Sequence, residues 1–221
     1  MIELRMRAAR RIRNADCQGA ANKLSGEGIM RFRRCAVAAA AVTIALAPGS
    51  TRAEPFTLTS SAFADGGVIP RKHAGLHPAR KPPCGGENVS PPLAWKNAPA
   101  ETRSFAIVMY DPDGGRGTGS SHWVAYGIPA KRTGLKEGEA SKAPSDWIGG
   151  RNGVGWNYYF GPCGPQGDAP HHYVFTLIAT SLAPDELKPG LTRDELLRTL
   201  RSQRGRALAP ASIVGRYVRG M

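Results

Sequence analysis

The sequence predicts a mainly β fold, an antiparallel β-sandwich with one α-helix near its C-terminal end, on three observations. Three apolar runs, Ser104–Tyr110, His122–Ile128 and His171–Thr180, have the length and composition of strands. Long Gly- and Pro-rich stretches separate them, the spacing of a sandwich rather than of alternating strands and helices. Only one segment carries a helix signature, and it comes late.

Phe56–Thr59 alternates apolar with polar, as a half-buried strand does, and Ala64–Gly67 reads as a turn. Residues 71–83 hold basic side chains, His73, His77 and three prolines, and read as an exposed loop. Asn88–Trp95 is expected to be extended, because a residue before proline avoids the helical region. Ser104–Tyr110 is continuously apolar and belongs in the middle of a sheet; His122–Ile128 is a second such strand. Residues 130–155 read as a long surface excursion, Trp156–Phe160 as a short aromatic strand, and His171–Thr180 as the third strong strand. Thr192-Arg193-Asp194-Glu195 is a capping box, after which Leu196, Leu197 and Leu200 follow at helical spacing. Ile213–Val218 closes the fold as a strand.

Charge and targeting narrow the function classes. The chain of 221 residues carries +13. Residues 1–53 hold 10 Lys/Arg against 3 Asp/Glu (+7), and residues 54–221 hold the other 20 against 14 (+6). Much of the basic excess therefore lies in a leader. Met30–Arg34 is basic, Cys35–Ala47 is an apolar run of 13 residues, and Thr51-Arg52-Ala53 is a small-x-small ending. This is the order of a secretory signal, with cleavage expected after Ala53 and a periplasmic or secreted product. The run is too short for a comfortable membrane span, so no stable insertion of the mature chain is expected. Cys35 opens that run rather than following it, which disfavours lipid attachment there. Residues 1–29 are expected to be a disordered extension, or to precede the true start at Met30; residues 54–221 form the single domain. No nucleic-acid module or aromatic-interleaved basic stripe occurs, so no nucleic-acid partner is expected.

The candidate site comes from strand ends. Asp111 closes an apolar strand and is held extended by Pro112; Asp113 reads as the more structural of the two carboxylates. His122 and His171 each begin a strand. His171 and Tyr173, two apart, share a face, and His172 faces the other way. Imidazole and phenol groups donate hydrogen bonds to anionic oxygens. Gly161–Gly167 holds three glycines and two prolines, and such a loop can bring backbone N–H groups close to an anion. It lacks the Lys-Ser/Thr ending of a P-loop and precedes a strand, which disfavours triphosphate binding. Cys84 and Cys163, the two cysteines outside the leader, are compatible with a disulfide and equally with two separate buried thiols.

Asp111-Pro112-Asp113 with His122-Trp123, then Gly161-Pro162-Cys163-Gly164-Pro165-Gln166-Gly167 with His171-His172-Tyr173, resemble the two signature regions of the phosphatidylethanolamine-binding protein family, in its bacterial Raf-kinase-inhibitor-like branch. Cys84–Trp95 and Leu208–Tyr217 are also similar, and the likeness covers most of residues 56–219. The resemblance implies a non-enzymatic binding or regulatory protein with a pocket for phosphate or a phosphorylated headgroup. That pocket would be lined by Asp111, His122, His171 and Tyr173, with Asp113 as a further ligand-binding residue and Gly161 to Pro165 forming its rim. Gly115 and Gly164 stand where the family usually has proline, which should loosen the mouth. Neither a cofactor nor a resident metal is expected. Two rivals remain. Asp111, His122 and His171 are metal-ligating types, as a metal-assisted hydrolase would need, but no His-x-x-x-His, paired carboxylates or Gly-x-Ser-x-Gly accompanies them. The other rival is an inhibitor of a peptidase or kinase acting through the same pocket.

Overall fold

In a computed structural model of the protein, residues 54–79, 81, 83–202 and 206–220 are described. Residues 1–53, on which the expected extension, secretory signal and cleavage point at Ala53 fall, lie outside them. Among these residues nine strands form two sheets: β1 (Thr57–Thr59), β2 (Gly67–Val68), β3 (Leu93–Lys96), β4 (Ser104–Asp111), β5 (Ser120–Pro129), β6 (Gly134–Leu135), β7 (Ile148–Gly149), β8 (His171–Thr180) and β9 (Ala207–Tyr217). The smaller sheet has the order β1-β3-β6, and the larger β2-β9-β8-β4-β5-β7. Every pairing is antiparallel except β2 with β9.

The unbroken apolar runs have a physical reason. Phe105, Ile107 and Met109 of β4 point into the sandwich, where they meet Leu58, Leu93 and Trp95 of the small sheet and Phe175, Leu177 and Ile213 of the large one. Ala106 and Val108, on the alternate face, meet Val124, Tyr126 and Ile178 and the helix α1 (Arg193–Ser202). A strand covered on both faces has no need of polar alternation. Helix α1 begins on the expected capping box. The Thr192 N–H donates to Glu195 Oε2 (2.8 Å) and the Glu195 N–H to Thr192 Oγ1 (3.3 Å). Leu196 and Leu200 are its buried face.

Several local expectations are corrected. Trp156–Phe160 is not a strand. Its N–H groups go to scattered acceptors: Trp156 to Asn152 Oδ1, Tyr159 to the Ala140 carbonyl, Phe160 to the His122 carbonyl. The rings pack on one another instead, Trp156 on Tyr158 at 4.9 Å and on His77 at 5.0 Å. Within Asn88–Trp95 only the last three residues join β3; Pro91 and Pro92 have no N–H for a ladder, and Asn88 is left-handed (φ 58°). Residues 71–83 are not wholly exposed, since Arg71–His73 forms a 3₁₀ turn and His73 and Ala74 are buried. The excursion from 130 to 155 contributes β6, β7 and buried Leu135, Ala140 and Trp147. Strand β9 begins six residues before Ile213, running through small residues and Pro210 that carry little strand signal.

Candidate functional site

Strands β4, β5 and β8 lie side by side, so their ends bring Asp111, His122 and His171 together. Asp111 is the hub. Its Oδ1 accepts the N–H groups of Asp113 (3.0 Å) and Gly114 (2.9 Å), which closes the turn after β4. Its Oδ2 accepts from His171 Nδ1 at 2.8 Å and stands 3.8 Å from His122 Nε2. All three side chains are buried.

The two imidazoles are set differently. His122 Nδ1 faces the carbonyls of Phe160 (3.0 Å) and Gly161 (3.1 Å). Carbonyls only accept, so Nδ1 carries the proton and Nε2 is turned to Asp111. Its ring lies flat against Phe160 (5.4 Å, 3°) and meets the Tyr173 ring edge-on (5.1 Å, 89°). His171 gives Nδ1–H to Asp111 and has Nε2 3.4 Å from Asp168 Oδ2. Burial pulls the His171 imidazole down, but the hydrogen bond and charge of Asp111, with Asp168 and Asp113 behind, outweigh it. The group therefore sits above its ordinary range. At mildly acidic pH the site presents a cationic donor at His171, with the Asp111 carboxyl and the Nε2 of His122 beside it.

These groups form the floor of a cavity of about 630 Å³. Its walls include Gly114, Gly115, Arg116 and Ser120 on one side, and Cys163, Gly164 and Pro165 on the other; Lys81 and Arg219 add positive charge. Cys163 is joined to Cys84 across 79 residues of sequence (Cα–Cα 4.9 Å), which ties this wall to the 71–84 segment.

Three expected lining residues stand elsewhere. Tyr173 is fully buried behind the two imidazoles and off the cavity wall. Burial first, then the charge of Asp111, push its phenol far up, and the Cys163 and Gly164 N–H groups offset only part. Tyr173 is therefore a neutral packing partner for both His rings. Gly161 is also beneath the wall. Its N–H donates to Asn88 Oδ1 (2.9 Å) and is not free for an anion. A Cβ there would lie 2.1 Å from the His73 carbonyl, so only glycine fits. Asp113 lies outside the cavity and accepts the His172 N–H (2.8 Å) and ring Nδ1 (2.9 Å). The His172 N–H, then the ring, hold its carboxyl below the usual range. Among the described residues no three His, Cys, Asp or Glu side chains are grouped to hold a metal ion.

Sequence reasoning missed two asparagines that build this floor. Asn152 donates to the carbonyls of His122 and Tyr158 (3.0 Å each) and accepts from Val154 and Trp156. Asn88 donates to the Tyr159 carbonyl (2.9 Å) while accepting from Gly161. Their only sequence signal is Asn's tolerance of turns. Asn88→Ala is expected to cost about 3 kcal/mol, from stranded buried partners and a left-handed alanine. Asn88→Gly keeps the backbone and isolates the side chain; denaturant unfolding of both variants checks this.

Comparison with known proteins gives a consistent picture. A family model described as phosphatidylethanolamine-binding protein matches residues 59–218. A UPF0098 protein of Methanothermobacter thermautotrophicus is 36% identical over 165 residues, covering 74% of this chain and 99% of its own. A putative lipoprotein, LppC, of Mycobacterium tuberculosis is 36% identical over 152 residues, covering 69% of this chain and 68% of its own. Among solved structures, Escherichia coli YbcL, described as a new member of the mammalian PEBP family, superposes with a TM-score of 0.65 at 30% identity. It covers 74% of this chain and 98% of its own.

Proposed function

This chain belongs to the phosphatidylethanolamine-binding protein family, and on that premise we propose that its cavity binds a small anionic group, phosphate or a phosphorylated headgroup, without catalysing a reaction. The observation that carries this reading is the floor. His171, held above its ordinary pKa by Asp111, places a charged imidazole at the base of a cavity whose wall adds Lys81, Arg116 and Arg219; its Nε2 has only the long 3.4 Å contact to the exposed Asp168, which an anion can replace. Asp111 and the unprotonated His122 Nε2 accept hydrogen bonds from a P–OH or an ammonium on the same ligand. A preformed donor of this kind binds anions by charge-assisted hydrogen bonds.

The protein acts outside the cytoplasm in this reading. The basic, apolar and small segments of residues 30–53 support it, as does the lipoprotein name of one relative. Among the described residues no helix is long and apolar enough to cross a membrane.

Titration of phosphate into the protein is expected to shift the NMR signals of His122 and His171 at millimolar concentration or below. Affinity should be greatest below the raised pKa of His171 and fall as pH climbs through it, because the neutral ring loses its charge. Sulfate, whose charge is constant from pH 5 to 9, separates this effect from the titration of phosphate itself. Absence of any shift at either histidine would refute the reading.

A further inference from the structure

The same cavity is larger and more cationic than a single phosphate requires. We propose that the ligand of this protein carries two anionic groups: one on the His122–His171 floor, the other at the rim, held by Arg116 and Lys81. The inference rests on the anion-binding reading of the floor and deepens it.

Arg116 is the first observation. It follows Gly114 and Gly115 and precedes Gly117, and residues 115, 116 and 117 have φ of 58°, 59° and 86°. The two flanking glycines adopt that conformation freely; a residue with a Cβ is strained there. The fold thus places one long cation, at conformational cost, on the wall of the cavity. Backbone hydrogen bonds of the turn hold it there, but no side-chain contact among the described residues offsets that cost. Among the described residues the Arg116 guanidinium has no hydrogen bond, ion pair or ring contact, and neither has the Lys81 ammonium. Strained backbone of this kind clusters at ligand clamps, and here it presents an uncommitted cation to the cavity.

Charge balance is the second. The carboxylate in the cavity, Asp111, is enclosed by two turn N–H groups and two imidazoles. Asp168 lies against His171. Neither acid is spent on the rim, where Arg116 and Lys81 stay uncompensated and Arg219 donates to the Gly164 carbonyl. An anion seated there relieves like-charge repulsion, and the planar fork of Arg116 suits a phosphate's paired oxygens. The path between the two positions is open on the opposite wall. A Cβ at Gly164 would lie 3.5 Å from the His171 ring, so its absence leaves the imidazole face uncovered toward the cavity. Two anionic groups on one molecule then engage both positions, the second at the high local concentration set by the first.

Calorimetric titration of the purified protein with four probes tests this: inorganic phosphate, glycerol 3-phosphate, inorganic pyrophosphate and 1,3-propanediol bisphosphate. At least one two-anion probe should bind ten-fold or more tightly than phosphate, and glycerol 3-phosphate, which adds bulk but no second charge, should not. Pyrophosphate against the bisphosphate distinguishes directly joined groups from groups on a short spacer. Arg116→Ala should bring the ratio close to one. Arg116→Gly should do the same while raising Tm, because it removes the left-handed strain, so loss of binding is not mistaken for loss of fold. If phosphate shifts the histidine signals but two-anion probes bind no better, the inference falls and the floor reading stands. If the ratio survives both Arg116 variants, the rim position is wrong. If no probe binds, both readings fall.

Discussion

Asp111→Ala is expected to destabilise the fold by about 3–5 kcal/mol and to abolish the phosphate response at both histidines. The magnitude follows from what the carboxylate holds. It is buried against His171 Nδ1 at 2.8 Å and accepts two backbone N–H groups of the turn after β4. Removing one member of a buried charge pair leaves the other in a low-dielectric site without compensation. Asp111→Asn keeps an acceptor for the turn and loses the charge, so its cost should be smaller while its loss of the His171 shift is retained. The pH dependence has a definite sign. His171 has a folded pKa above its unfolded value of about 6.5, so its stabilising contribution is complete below that value. It is lost as pH rises through the folded pKa. The deficit of Asp111→Ala should therefore be largest near pH 5 to 6 and narrow in alkali, and the His171 pKa in the variant should drop, since burial then acts with its main opponent gone. Denaturant unfolding across pH and NMR titration of the His171 ring check both. A deficit below 1 kcal/mol at pH 6 would show that Asp111 is not the hub described here.

Removing the Cys84–Cys163 bond is the second large effect. The bond closes a loop of 79 residues, and chain-entropy reasoning gives a loss of about 4.5 kcal/mol when such a loop is opened. For a domain of this size that corresponds to a fall in Tm of roughly 10 °C. The double variant Cys84→Ser/Cys163→Ser, or reduced protein, should show it in calorimetry. Cys163 also belongs to the cavity wall, so phosphate affinity should weaken along with stability. Equal Tm for oxidised and reduced protein would mean that other contacts already fix this loop, and a non-reducing peptide map lacking the linked pair would contradict the bond itself.

The parts of this fold legible in the sequence are those where one physical cause acts alone. Strands β4, β5 and β8 show because burial on both faces leaves unbroken apolar runs. Helix α1 shows because Thr192 and Glu195 satisfy its first turn. Trp156–Phe160 misled because an aromatic cluster has the same composition whether its rings pack in a loop or along a strand. Strands β6 and β7 have two residues each, too few for any period. At the site, Asp111 and His171 are readable as strand ends. The tautomer of His122 is not, because it is set by carbonyls 38 and 39 residues away. Tyr173 shares its face with His171 as expected, yet it falls behind the floor because the strand carries it one step deeper into the sandwich. Asn88 and Asn152 were invisible because their work is to bind backbone, which leaves no pattern along the chain.

The place of β9 in the large sheet has a consequence for how the protein comes to be folded. The last strand sits between β2 and β8, so Gly67 pairs with Gly215 and His171 with Tyr217. Until residues 207–217 are delivered, β8 presents an open hydrogen-bonding edge and β2 has nothing to pair with. Contacts so distant along the polymer close slowly. A chain of this topology therefore keeps its large sheet open until residues 207–217 are in place, so the docking of β9 is the step that closes the fold.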